Sequence, residues 1–186
     1  MKSSALFIRQ SMNNFIKIGA FFPSSSRLAK RIIKHINAKV ILELGPGTGI
    51  FTKEILKKLP ADGKLICIEN NSYFVTHLRK EIKDSRFEVV ASDAMTLGDV
   101  LRSRGINKVD CIISGLPLGN FTKNNKTKIL KEISGCLNDD GLFIQFEYFL
   151  AGIKSVKEFF SKIDISYEIF NIPPAFVMEC KKYRDN

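Results

Sequence analysis

Short apolar runs rich in Ile, Val and Leu recur along the chain at Val40–Leu44, Lys64–Glu69, Phe87–Ala91, Val109–Ser114 and Leu142–Tyr148. Each has the length and β-branched content of a strand buried on both faces. Between them, Phe51–Leu59, Ser72–Lys83, Leu97–Ser103 and Asn124–Leu137 carry apolar residues at helical spacing, which predicts amphipathic helices. Asp62-Gly63 and Asp139-Asp140-Gly141 supply turns ahead of two strands. A last helix over Ile153–Lys162 and strands at Ile165–Asn171 and Ala175–Lys181, joined through Pro173-Pro174, complete the pattern. Strand alternating with helix predicts an α/β fold, with a largely parallel sheet of seven strands and helices on both faces.

Two helical segments precede the sheet, separated at Gly19-Ala-Phe-Phe-Pro23, because Pro restricts the residue before it and cannot continue a helix. Ser24, Ser25 or Ser26 is placed to cap the second, Arg27–Ile36. In the first, Ala5, Ile8, Met12, Phe15 and Ile16 fall on one side, and Lys2, Arg9, Asn13 and Lys17 on the other. Such a helix suits a membrane interface or a seat on the domain itself, and pattern alone does not choose. The expected organisation is one domain over 1–186: an amphipathic segment at 1–20, a second helix at 24–37 and an α/β core at 40–186.

Composition narrows the classes. No run approaches the roughly 18 apolar residues of a spanning helix. Cys67, Cys111, Cys136 and Cys180 are far apart, mostly in apolar runs, and read as reduced core residues; with only His35 and His77 beside them, no metal site is expected. No secretion signal is recognisable at Met1–Gln10, which points to the cytoplasm. A net charge of +10 points to an anionic partner, nucleic acid or acidic lipid.

Chemistry concentrates after the first strand, at Glu43-Leu-Gly45-Pro46-Gly47-Thr48-Gly49. Glycines there let the backbone bend sharply and approach a ligand, and the following helix start offers free N–H groups. The spacing is G-x-G-x-G, not the dinucleotide G-x-G-x-x-G, and the Lys-Ser/Thr of a phosphate-binding loop is missing. Glu69 ends the second strand about twenty residues on, where a carboxylate can accept both ribose hydroxyls of an adenosine. Asp93 follows the third strand, placed to take an adenine amino group. Caps of the following helices are the structural alternative for both acids.

With these three elements in order, the chain resembles the class I S-adenosylmethionine-dependent methyltransferases from Val40 onward. The resemblance implies an antiparallel last strand, S-adenosylmethionine as cofactor, Glu43 toward the methionine amino group, and Gly45, Pro46, Gly47, Thr48 and Gly49 along the methionine. It further implies Glu69 and Asn70 at the ribose, Asp93 and Ala94 at the adenine, and Ser114 and Gly115 beside the transferable methyl.

The fourth strand ends in Ser114-Gly-Leu-Pro117-Leu118. Enzymes that methylate base amino groups resemble one another here in having Asn or Asp, then Pro, then an aromatic on which the base stacks. The Asn or Asp and the aromatic are both missing, as is a C-terminal RNA-gripping helical domain, so nucleic acid is not the expected partner. Gly19–Ala29, Glu43–Thr52, Ile113–Pro117, Gln145–Tyr148 and Asn171–Ala175 together look like the bacterial phospholipid N-methyltransferases, relatives of the ribosomal RNA adenine dimethyltransferases. That resemblance implies methylation of a headgroup amine such as that of phosphatidylethanolamine, toward phosphatidylcholine, at the inner face of an anionic membrane. Glu147 departs from the small or hydroxyl residue expected before the tyrosine, which bears on the headgroup and on the number of transfers.

Tyr148 is the first candidate to receive the amine proton or orient the amine, with Glu147 and Ser114 beside it. By resemblance to related methyltransferases, Phe22, Pro23 and Ser24 are candidates for a lid and Leu116 and Pro117 for substrate contact; core packing is the rival for the phenylalanine. Lys123, Lys126 and Lys128 read as a solvated helix face. An RNA adenine N6-methyltransferase relative, or a cofactor-binding protein without turnover, stands as the alternative.

Overall fold

A computed structural model describes residues 23–33, 36–169 and 174–182. Helix α1 (Pro23–Ile33) leads into β1 (Val40–Leu44), α2 (Ile50–Lys58), β2 (Lys64–Glu69), α3 (Ser72–Glu81), β3 (Phe87–Ala91), α4 (Leu97–Arg102) and β4 (Val109–Ser114). Then come α5 (Lys123–Cys136), β5 (Leu137–Glu147), the single-turn α6 (Ile153–Val156), β6 (Phe160–Glu168) and β7 (Ala175–Lys182). Short 3₁₀ turns occupy Ala94–Thr96, Leu118–Asn120 and Leu150–Gly152.

The strands form one sheet in the order β3-β2-β1-β4-β5-β7-β6. Strands β1 to β5 are parallel, and β7 runs antiparallel to both β5 and β6, so β6 points the same way as β5. The expected mostly parallel seven-stranded sheet with an antiparallel last strand is therefore present. Because strand side chains alternate, each strand feeds two cores. Leu42, Ile66, Ile112, Phe143 and Met178 face α4 to α6. Ile41, Leu65, Cys111, Ile144 and Val177 face α1 to α3. The order reverses between β1 and β4, which puts the switch point of the sheet at the C-terminal ends of these two strands.

Helix α1 begins earlier than its sequence suggested. Pro23, whose fixed φ suits a first helical position, starts it, so Ser24, Ser25 and Ser26 lie within the first turn and do not precede it as a cap. Leu28, Ala29, Ile32 and Ile33 are its buried stripe, and the exposed Arg31 reaches across the sheet to Glu168 of β6 (Nη1 to Oε2, 2.9 Å).

Further boundaries differ. The expected helix Ile153–Lys162 is only Ile153–Val156, and β6 already starts at Phe160, whose ring stacks on Phe143 at 5.1 Å and whose backbone pairs with Lys182. Strand β5 begins at Leu137 and ends at Glu147, leaving Tyr148 just past it. The Asp139-Asp140-Gly141 turn survives as an irregularity inside β5: Val109 pairs with Leu137 and Cys111 with Leu142, so Asn138–Gly141 bulge out of register. Asp110 fastens that end of the sheet, accepting from the backbone N–H of Lys39 and Val40 (both 2.9 Å) and from Asn138 Nδ2 (2.7 Å). All four cysteines are free and buried, as expected of core thiols. Among the described residues no helix is long and apolar enough to cross a membrane.

Candidate active site

The glycine turn sits at the C-terminal end of β1. Gly45, Gly47 and Gly49 have φ of 69°, 56° and 80°, a left-handed region in which a side chain is strained. Gly45 N–H donates to Ile68 O of β2 (2.9 Å), and Gly49 N–H to Pro46 O (2.9 Å), closing the turn. The three glycines serve different ends. A Cβ at Gly49 would lie 2.6 Å from Leu78 Cδ2, and one at Gly45 3.1 Å from Leu116 Cδ2, so both are needed for packing. A Cβ at Gly47 would meet no protein atom within 4 Å. Gly47 therefore has open space over its backbone, with room for a ligand to approach.

Glu69, at the end of β2, accepts from Gly47 N–H (3.2 Å) and Asn71 N–H (2.9 Å), locking the β1 and β2 turns together. Burial pushes its carboxyl up, against the opposing pull of those N–H groups. Asp93, exposed at the end of β3, caps the 3₁₀ turn through Met95 N–H (2.8 Å). Both acids thus hold local structure and stand at consecutive strand ends beside the glycine turn, with Asn70 exposed and Ala94 half-buried next to them.

Glu43 is buried, and its Oε2 accepts from Thr52 Oγ1 (2.7 Å) and Cys67 Sγ (3.2 Å). Desolvation dominates, raising the carboxyl from 4.5 to about 7 despite those two donors. From sequence, Thr52 was only the end of the Glu43–Thr52 segment and Cys67 only a core thiol, neither a partner of Glu43. Cys67 was findable from parallel register, since it lies directly opposite Glu43 on the same face.

The turn after β4 crosses the glycine turn: Gly115 N–H donates to Leu44 O (3.1 Å), and Leu116 packs on Gly45. Ser114 is buried, and its Oγ accepts from Leu116 N–H (3.2 Å), shaping the approach to Pro117. Leu118 is fully buried, so no side chain is presented there for a base to stack on. Gln145, opposite Ser114 on β5, donates to Leu116 O (2.8 Å) and Phe146 O (3.0 Å). Sequence placed it in the Gln145–Tyr148 segment without a site role, though a polar break in an apolar strand was its signal.

Glu147 ends β5 under the turns at Leu118–Asn120 and Leu150–Gly152. It is buried, and neither carboxylate oxygen has a hydrogen-bond partner. Burial raises its carboxyl from 4.5 to about 7; the amides of Leu118, Gly119 and Gly152, which face it without reaching hydrogen-bond geometry, and the charge of Lys126 offset part of the effect. Of the three catalytic candidates, Ser114 and Glu147 share the sheet face toward α5. Tyr148 packs on the opposite side with Phe146 (ring centroids 5.2 Å). Lys123 and Lys128 are exposed on α5. Pro23 and Ser24 form the first turn of α1, and Phe22 lies outside the described residues, as does the amphipathic segment 1–20.

The methyltransferase-domain family model matches residues 41–141, from β1 to the bulge of β5. This chain belongs to the class I S-adenosylmethionine-dependent methyltransferases. The bared Gly47 and the acids at the ends of β2 and β3 suit that cofactor, which Gly45–Gly49, Glu69, Asn70, Asp93 and Ala94 would hold. Over all of both chains the methyltransferase is 30% identical to the ornithine lipid N-methyltransferase of Singulisphaera acidiphila. A shorter match, 33% over 82 residues, covers 43% of this chain and 30% of the ribosomal RNA small subunit methyltransferase A of Mycoplasmopsis synoviae. In fold it is similar to the 1,6-didemethyltoxoflavin-N1-methyltransferase of Burkholderia thailandensis solved with S-adenosylhomocysteine (TM-score 0.69, 16% identity, 96% of this chain and 88% of that one).

Proposed function

We propose that this methyltransferase methylates the headgroup amine of a membrane aminolipid of the ornithine lipid or phosphatidylethanolamine kind. The observation that carries the reading is the end-to-end match to the ornithine lipid enzyme, which spans both chains completely. The two headgroups share a primary amine on a flexible carbon chain. The β4 turn supports the choice, because Leu118 is buried in the core where a base methyltransferase would offer a stacking ring.

When bound, S-adenosylmethionine supplies a methyl group on a sulfonium, an electrophile that needs no metal. What the protein must add is a neutral amine, held close and aligned. A lipid amine arrives as an ammonium, and Glu147, a buried carboxylate titrating near neutrality, is the proton acceptor in this reading. Ser114 and Gln145 hold the adjoining turn in shape. The Glu69, Asp93, Glu43 and glycine-turn roles at the cofactor are part of the same proposal.

A peripheral seat on the inner face of an anionic membrane fits the net charge of +10. It also fits the exposed apolar side chains of Phe149, Ile165, Tyr167 and Ile169, which stand toward the C-terminal ends of β5 and β6. Sedimentation with anionic vesicles, with and without residues 1–18, tests the role of the amphipathic segment: equal binding removes it.

The function itself is tested by incubating the protein with methyl-labelled cofactor, vesicles containing ornithine lipid and phosphatidylethanolamine, and RNA. Label is expected in an aminolipid; label in RNA alone refutes the reading. Glu147→Gln is expected to slow transfer by about 10²- to 10⁴-fold with S-adenosylhomocysteine affinity unchanged. Full turnover in that variant removes Glu147 as proton acceptor.

A further inference from the structure

Lys162-Ile-Asp-Ile-Ser-Tyr-Glu-Ile169 alternates polar with apolar, the pattern of a strand with one face in a core and the other in water. Pairing with β7 sorts the two faces of β6. Ile163, Ile165 and Tyr167 lie opposite Cys180, Met178 and Phe176, on the side of the sheet that carries α4 to α6. The polar face looks the other way, where Glu168 meets Arg31 of α1 and Lys162 pairs with Asp164. Among the described residues nothing covers the apolar face beyond Ile163. Strand β6 is outermost in the sheet, and the connection from β5 contains only a 3₁₀ turn and the single turn of α6. Ile165 is therefore 43% exposed and Tyr167 52%, with Ile169 exposed just past the strand. Phe149, 78% exposed, opens the turn whose Leu150 packs on the same side.

This bare face borders the candidate active site. Glu147 of β5, Phe176 of β7 and Tyr167 of β6 form one cross-strand row, neighbours in it standing about 5 Å apart, and the Tyr167 ring packs on that of Phe176 (centroids 4.7 Å). Because β6 runs the same way as β1 and β5, Tyr167, Ile169 and Phe149 lie toward the sheet edge that holds the glycine turn. Cations flank the patch. Lys123 and Lys126 stand in the first turn of α5, and Lys154 in α6, which packs on α5. From Lys123 to Lys131 there are four lysines and no acid, and between β5 and β6 Lys154 and Lys157 stand against the single acid Glu158. We propose that the exposed apolar face of β6 and β7, with Phe149, is the surface that docks on an anionic bilayer and presents lipid headgroups to the active site without the lipid leaving the membrane. Aromatic and branched side chains enter below the headgroups, and the lysines meet lipid phosphates. This surface deepens the aminolipid reading, on which it rests, by fixing which side of the molecule meets the lipid.

An exposed apolar patch of this kind marks an interaction site, and charge selects its occupant. In a symmetric dimer the patch meets itself, which sets Lys154 and its neighbours against their own copies. The amphipathic segment 1–20 carries Lys2, Arg9 and Lys17 and no acid, so it too brings like charge. An anionic bilayer brings the opposite charge.

The sequence has no tryptophan, so a single introduced one reports alone. In the full chain Tyr167→Trp is compared with Tyr73→Trp, since Tyr73 is exposed on α3, which packs against β2 and β3 at the other end of the sheet. On vesicles of phosphatidylethanolamine and phosphatidylglycerol with brominated acyl chains, emission from position 167 is expected to shift to the blue and be quenched, and emission from position 73 to stay as in buffer. Phe149→Ser combined with Tyr167→Ser is expected to weaken sedimentation with these vesicles by about tenfold or more, with S-adenosylhomocysteine affinity retained as the mark of an intact fold. The tryptophan pair stands even if that double variant folds poorly. Failure to bind the vesicles, or binding without quenching at position 167, overturns the surface. So does emission from position 167 that is already blue in buffer, the mark of cover by segment 1–20 or by a second copy, which analytical ultracentrifugation tells apart. Any of these results with label still entering aminolipid dispersed in detergent leaves the lipid function intact. Quenching at position 167 with no label in any aminolipid keeps the docking surface and removes the aminolipid reading.

Discussion

Replacing Gly47 and Gly49 one at a time by alanine separates what the glycine turn does for the fold from what it does for the cofactor. Both residues have positive φ, so either Cβ costs about 1–2 kcal/mol of backbone strain. At Gly49 the new methyl also lies 2.6 Å from Cδ2 of Leu78, a fully buried side chain held among packed neighbours. Overpacking of that kind adds roughly 1–3 kcal/mol. Gly49→Ala should therefore lose roughly 2–5 kcal/mol of stability. At Gly47 no protein atom is within 4 Å of the added carbon, and the N–H bond to Glu69 is retained, so backbone strain is the only cost. Urea unfolding should place Gly47→Ala about 1–2 kcal/mol below wild type and Gly49→Ala further below it. Calorimetric titration with S-adenosylhomocysteine should show the opposite emphasis, with affinity at Gly47→Ala falling by about tenfold or more as the methyl occupies the approach to the turn. If Gly47→Ala binds S-adenosylhomocysteine as tightly as wild type, the turn does not meet the cofactor through Gly47. If it unfolds as easily as Gly49→Ala, the contrast in packing is mistaken.

Other outcomes follow from the buried acids and the sheet floor. Glu43 titrates at about 7 in the fold against 4.5 ordinarily, so its neutral form is the one the fold favours. Its contribution is full below pH 4.5 and is lost as pH rises through 7, about 3 kcal/mol in all. Glu43→Gln should make the fall in urea midpoint between pH 5 and pH 8 shallower, leaving the share of Glu147, which shifts in the same direction; an unchanged slope would falsify the assignment. Asp110→Ala strands the N–H groups of Lys39 and Val40 and should cost about 1–3 kcal/mol, with S-adenosylhomocysteine affinity kept because Asp110 lies at the far end of the sheet. An unaltered urea midpoint contradicts that account. Arg86 bonds the carbonyl oxygens of Leu56 and Leu59 near the C-terminus of α2 and holds the Asp84 carboxyl down at about 2. Arg86→Met should lower the melting temperature and return Asp84 to the ordinary carboxylate range in an NMR titration; a persistently low value there rules out the guanidinium as the cause.

The sequence alone determined the parallel core. Its strands are buried on both faces and read as apolar runs, and Gly45, Gly47 and Gly49 stand where only a left-handed backbone closes the turn. Local chemistry is sufficient for such features, and the positions of Glu69 and Asp93 follow from them because consecutive parallel strands end on one edge. Tertiary structure decided the rest. Ile153, Val156 and Phe160 are spaced as on a helix, yet stacking on Phe143 and pairing with Lys182 draw Phe160 into β6. Sequence ranked Tyr148 ahead of Glu147, adjacent in the chain. The pleat sends them to opposite sides of the sheet, and Glu147 alone lands beneath the β4 turn, among groups that bury it without bonding it. Burial is a sum over segments far apart in sequence, so the shifted carboxyls of Glu43 and Glu147 arise only once β1, β4 and β5 lie side by side.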